Sequence, residues 1–160
     1  MMSSKLTRAI TALGAILILV AVNYSIRAKE RIITTGESIY LALAPVDPRS
    51  LMQGDYMALR FQLADAIDVR RAEGSDTYPR APIVLDERHV ATLAERGVAT
   101  DRFIRYRLRN ERVWLGTNAY FFEEGSAERF ENARFGEFRL DRESGEAVLV
   151  GLRDGELKAL

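Results

Sequence analysis

Cysteine is absent from the 160-residue chain. That excludes disulfides, thiolate metal sites, cysteine nucleophiles and a lipid-modified cysteine anchor. Histidine occurs once, as His89, so a conventional zinc site would need mostly carboxylates, which is a poor donor set for that ion. Lysine is confined to Lys5, Lys29 and Lys158. A general-base lysine with a burial-lowered pKa therefore has no candidate between Lys29 and Lys158. Charge of either sign is not in excess: 23 basic residues face 23 acidic ones, and the positive footprint of a nucleic-acid binder is missing. No Gly-rich phosphate loop and no EF-hand spacing occur. The composition implies no cofactor and no metal, and gives no recognisable catalytic constellation.

What is present begins with a greasy run. Between Ala9 and Ile26 no residue is charged, and Lys5 and Arg8 precede the run while Arg27, Lys29 and Arg31 follow it. As a helix it spans about 27 Å, close to the hydrocarbon thickness of a bilayer. The run is long for the apolar region of a signal peptide and lacks a small-residue cleavage pattern at its end. We therefore expect an uncleaved anchor. Two basic residues before the run and three after it weakly favour the C-terminal side inside. Large C-terminal domains translocate largely regardless of charge, however, and the basic N-terminus resembles a signal-anchor. The expected organisation is a cytoplasmic tail over 1–8, a transmembrane anchor over 9–26, a stalk or continued helix over 27–36 and a soluble domain over 37–160. In a bacterium, that is a single-pass inner-membrane protein with a periplasmic head.

After Gly36 the apolar period changes from helical to alternating. Ile39, Leu41 and Leu43 share a strand face, and Met57, Leu59, Phe61 and Leu63 share another. Pro45-Val46-Asp47-Pro48 and Gly54-Asp55 read as turns. Residues 72–82 read as loop, Ile83–Leu85 and His89–Leu93 as a hairpin, and Ile104–Leu108 as a strand. That strand has apolar residues on one face and arginines on the other. Asn110-Glu111 would turn into Val113–Leu115. Ser126 is a candidate cap for a short helix reaching Arg134, with Phe130 facing inward. Phe138–Leu140 and Ala147–Leu152 would close the chain around Ser144-Gly145. The fold class is α+β and β-rich: one N-terminal transmembrane helix, then a small, mostly antiparallel β domain with one short helix. A partly open barrel is one arrangement that fits.

The densest constellation lies between Ala44 and Phe61, where Asp47, Pro48, Arg49, Gly54, Asp55 and Tyr56 crowd one short stretch. The prolines fix the entry, Gly54 permits close backbone approach, and the aspartates can bond loop N–H groups. The residues fit a structural turn between strands, a recognition surface for a partner, or, with least support, a catalytic loop. Arg102, Arg105, Arg107, Arg109 and Arg112 form the one marked charge cluster. It reads either as a solvated sheet face or as a contact for anionic lipid headgroups or an acidic partner.

Gly54-Asp55-Tyr56-x-x-Leu59-x-Phe61 resembles the signature of the GDYXXLXY family of bacterial membrane-anchored proteins. Pro45–Arg49, the apolar N-terminal helix and Tyr120–Gly125 fit the same family. Phe61 stands where that signature has tyrosine, so this chain offers no hydroxyl there. The resemblance implies a membrane-anchored accessory protein, similar to proteins found beside multi-pass membrane proteins. Pro45–Phe61 would be the partner contact. A weaker likeness, to type I signal peptidases, tests an enzymatic alternative: their motif runs Ser-Met-x-Pro-Thr-Leu-x-x-Gly-Asp. Aligning Leu51 and Gly54-Asp55 puts Val46 in the nucleophile's place. The chain would then be a hydrolase of another kind, built on Asp47, Ser50, Asp55 or Glu124, or an inactive relative of that β fold.

Overall fold

A computed structural model describes residues 4–44, 52–53, 56–67, 79–110 and 112–160. Helix α1 runs unbroken over Ser4–Thr35, 32 residues and so about 48 Å. Its stretch from Ile10 is long and apolar enough to cross a membrane. Apolar side chains are exposed all round it: Leu13, Ile16, Leu17, Ile18, Leu19 and Val20 are each more than half exposed. A helix that is apolar on every face makes no sense against water and matches a lipid environment. The boundary expected at residue 27 carries no break, and the stalk is simply the last turns of α1.

Gly36 ends the helix by donating its N–H to the Ile32 carbonyl at 2.8 Å. A Cβ there would sit 2.5 Å from that same oxygen and 3.1 Å from the Leu140 carbonyl, so no other residue fits without displacement. Strand β1 (Glu37–Ala42) follows at once. The remaining strands are β2 (Met52–Gln53), β3 (Tyr56–Ala58), β4 (Arg80–Leu85), β5 (Ala91–Leu93), β6 (Phe103–Arg105), β7 (Arg107–Arg109), β8 (Arg112–Trp114), β9 (Ala119–Phe121), β10 (Phe135–Leu140) and β11 (Ala147–Arg153). Among the described residues there are also two short helices, α2 (Gln62–Ala66) and α3 (Ala127–Phe130).

The strands form small antiparallel sheets in the orders β1-β10-β11, β2-β3-β9 and β5-β4-β6, with β7-β8 as a separate pair. Single bridges, Tyr40 to Val90 and Leu43 to Phe61, link the sheets without closing a barrel. One core fills the space between them. Ile39, Leu41, Ile83, Ile104, Phe138 and Leu140 are fully buried, with Leu115 and Leu152 at 2 % exposure. Each such side chain contributes about 1.5–3 kcal/mol relative to an exposed position. Among the described residues Glu137 is the one charged side chain in the buried set. Its carboxylate accepts from Arg153 Nε at 2.8 Å and from Ser38 Oγ at 3.2 Å, and pairs with Arg139. Burial is tolerated because these donors replace water.

Several local expectations need correction. The strand expected over 57–63 ends at Ala58, and Gln62–Ala66 is helical. Leu59, Phe61, Leu63 and Ile67 are all buried, so the burial pattern holds while the element changes. Leu63 and Ile67 are four apart, a spacing that a helical turn brings to one side as readily as a strand does at two apart. The strand expected over 104–108 splits: β6 pairs with β4, and β7 pairs with β8. Pro79 ends the β4–β6 ladder: in the same register it stands opposite Tyr106 and accepts that residue's N–H at 3.0 Å, but it has no N–H to donate in return. β4 also starts at Arg80, inside the expected loop. His89 lies in the turn before β5, exposed and at φ 62°. The turn is shaped by Asp86, whose carboxylate accepts the N–H groups of Arg88 and Val90, each at 2.8 Å. Ser126 does not cap α3. Its hydroxyl donates to the Glu123 carbonyl instead, and the helix stops after four residues.

Candidate functional site

The signature residues separate into two groups. Leu59 and Phe61 face inward, at 7 % and 2 % exposure. The Phe61 ring meets Phe138 edge to face at 5.2 Å and 74°. Space for it comes from Gly136, where a Cβ would lie 2.9 Å from Phe61 Cε1. These two positions of the signature hold the core. Tyr56 belongs to the surface. β3 pairs with β2 through Gln53 and Tyr56 and with β9 through Tyr56 and Phe121. The alternation of a strand sends Met57 into the core at 3 % exposure and leaves Tyr56 and Ala58 half-buried.

Beside Tyr56 stands Phe121, its ring 5.7 Å away and tilted by 41°. Outside α1, Phe121 is the most exposed large apolar side chain among the described residues, at 74 %. Its neighbours are not exposed in the same way. Tyr120 packs edge on against Phe130 at 5.4 Å, and Phe122 stacks on the same ring at 5.1 Å. Two inward aromatics thus hold the strand so that the middle one faces out. Sequence reasoning gave Phe121 no role, although the period-two pattern of Tyr120-Phe121-Phe122 carries the signal. Asp47, Pro48, Arg49, Gly54 and Asp55 lie outside the described residues, as does Ser50. Glu124 is exposed in the turn after β9.

The arginine cluster is dispersed. Arg102 is held by Glu37 through three contacts of 2.9–3.2 Å. That hydrogen-bonded carboxylate raises the Arg102 pKa further, against the opposing effect of burial. Arg142 approaches the same carboxylate at 3.5 Å and reaches Asp101 at 2.5 Å. The four groups tie the start of β1, the segment before β6 and the β10–β11 turn together just where α1 ends. Arg105 and Arg107 lie on different strands, and Arg109 stacks over Trp114 at 5.2 Å. Among the described residues no group of three or more potential ligands could hold a metal ion.

Fold and site together describe a small antiparallel β head on a long apolar helix, with an aromatic corner where the signature reaches the surface. The family model described as "GDYXXLXY protein" matches residues 18–152, most of the chain. The chain belongs to the GDYXXLXY family. No curated protein and no solved structure matches it.

Proposed function

We propose that this protein is a membrane-anchored accessory module, held in the bilayer by α1 and binding a multi-pass membrane protein through the Pro45–Phe61 region. The reading places it in a bacterial inner membrane with the head in the periplasm. The observation that carries it is the Tyr56–Phe121 pair, an aromatic surface in which Phe121 is left 74 % exposed. Aromatic side chains exposed in this way supply contact area at small entropic cost and are enriched at interface centres. On this reading Asp47, Pro48, Arg49, Gly54 and Asp55, which precede Tyr56 in sequence, belong to the partner contact. Tethering in two dimensions raises the effective concentration of head and partner, so a modest contact suffices.

The test is photocrosslinking in native membranes from position 56 or 121 of the full chain. A discrete adduct with a polytopic protein is expected from both positions and not from Glu156. Equal, diffuse labelling from all three would defeat the reading. The absence of cysteine gives a clean background for the orientation: Glu156→Cys should react with an impermeant maleimide in spheroplasts without lysis.

A further inference from the structure

The head docks on one side of α1 only. Ile32, at 7 % exposure, marks the side that packs on β10 and β11, and Lys29 on the adjoining flank pairs with Glu146. Asn23 stands nine residues before Ile32. At 3.6 residues per turn that is two and a half turns, so Asn23 points directly away from the head. It is exposed, and it lies three residues, about 4.5 Å, inside the end of the uncharged run. Its amide donates one N–H to the Leu19 carbonyl at 2.9 Å. That bond uses one of the amide's two N–H groups and none of its acceptor capacity. Water satisfies such a group at an ordinary surface, and hydrocarbon does not.

Asn23 also falls in a seam. Ala12, Ile16, Leu19, Asn23 and Ile26 recur at intervals of four and three residues, the spacing of the face along which two helices pack as a left-handed pair. All five are exposed. Ala12 permits close backbone approach, and the three larger apolar side chains supply packing. In a parallel pair each residue meets its own copy at the same depth. An amide that both donates and accepts is its own complement there. Because each head lies on the far side of its helix, neither obstructs the contact. Glu30, one heptad on from Asn23, lies beyond the uncharged run, where water solvates its charge and the seam ends. We propose that two copies of this chain pair in the membrane through this face of α1, with the Asn23 amides hydrogen-bonded across the interface. The inference rests on α1 lying in a bilayer and is independent of what the aromatic corner binds.

With no native cysteine, single substitutions map the face cleanly. In native membranes holding the full chain, oxidation should link Ile16→Cys and Leu19→Cys into dimers. The yield should exceed that of Ile18→Cys and Ala21→Cys, on the head's side of the helix, at least about fivefold. Energy transfer between donor- and acceptor-labelled copies of Glu156→Cys in phosphatidylcholine vesicles measures the equilibrium. Asn23→Leu should need about tenfold more protein per lipid to reach the same transfer, equivalent to about 1.4 kcal/mol, while Asn23→Gln keeps the association. Leucine favours both helix formation and insertion, so a loss of pairing there is not a loss of fold. Equal linking from both faces, or transfer by Asn23→Leu indistinguishable from that of the unaltered helix, overturns the proposal and leaves the anchor intact. No transfer between purified copies, with positions 16 and 19 linking to another protein in native membranes, assigns the face to a foreign helix and overturns self-pairing. Failure of the chain to float with vesicles overturns the anchor and the pairing together.

Discussion

The β1-β10-β11 sheet and the β2-β3-β9 sheet dispose of their large apolar side chains in different ways. In the first, six- and seven-residue strands put Ile39, Leu41, Phe138, Leu140 and Leu152 out of contact with water. The same sheet receives α1 and contains the buried Glu137. In the second, strands of two or three residues leave Tyr56 half-buried and Phe121 exposed. Long strands close a core because each added pair buries another inward side chain. Short ones hold a side chain in place at little cost in shape. The first sheet is thus the structural frame, and the second is a mount for a surface.

If labour is divided in this way, damage to the first sheet should dominate stability. Phe138→Ala removes a fully buried ring that also supports Phe61, and should cost about 4 kcal/mol in urea unfolding of the detergent-solubilised protein. A loss below about 1 kcal/mol would break the comparison. Glu137→Ala should cost about 2 kcal/mol, less than a wholly buried pair because Arg153 keeps some access to water. A pH effect comes next. Burial raises the Tyr106 pKa above its ordinary 10.0. The unfolded chain therefore releases that proton first, so stability is complete below about pH 10 and falls as pH climbs toward the folded pKa. Tyr106→Phe should flatten that decline in a series of unfolding curves between neutral and strongly alkaline pH. The smallest effect belongs to the second sheet. Phe121→Ser should change stability by no more than about 0.5 kcal/mol while abolishing the adduct formed from position 56. A large loss of stability here would show that the corner is structural after all.

Much of this was readable beforehand. The uncharged run, the strand faces of Ile39–Leu43 and Phe138–Leu152, and the turn at Ser144-Gly145 follow from charge and period alone. What escaped depends on contacts distant in sequence. Nothing local says that Pro79 will stand opposite Tyr106 and end the ladder there, or that Leu63 and Ile67 reach the core from a helical turn. The inward position of Leu59 and Phe61 could be read from alternation. The partnership of Tyr56 with Phe121 could not, because it joins residues sixty-five apart. The stretch Pro45–Phe61 stands out in the sequence as an unusual density of turn-forming residues, and its described part divides between packing and display.

The single residue between α1 and β1 has a mechanical corollary. With Gly36 packed against Leu140 and with Glu37 clamped by Arg102, the head has no swivel. Its azimuth follows the rotation of the helix beneath it, so the proposed partner would meet the aromatic corner from one bearing. A mutation that rotates α1 against its surroundings would turn the whole head with it, and on the proposed function would silence recognition without touching a single residue of the contact.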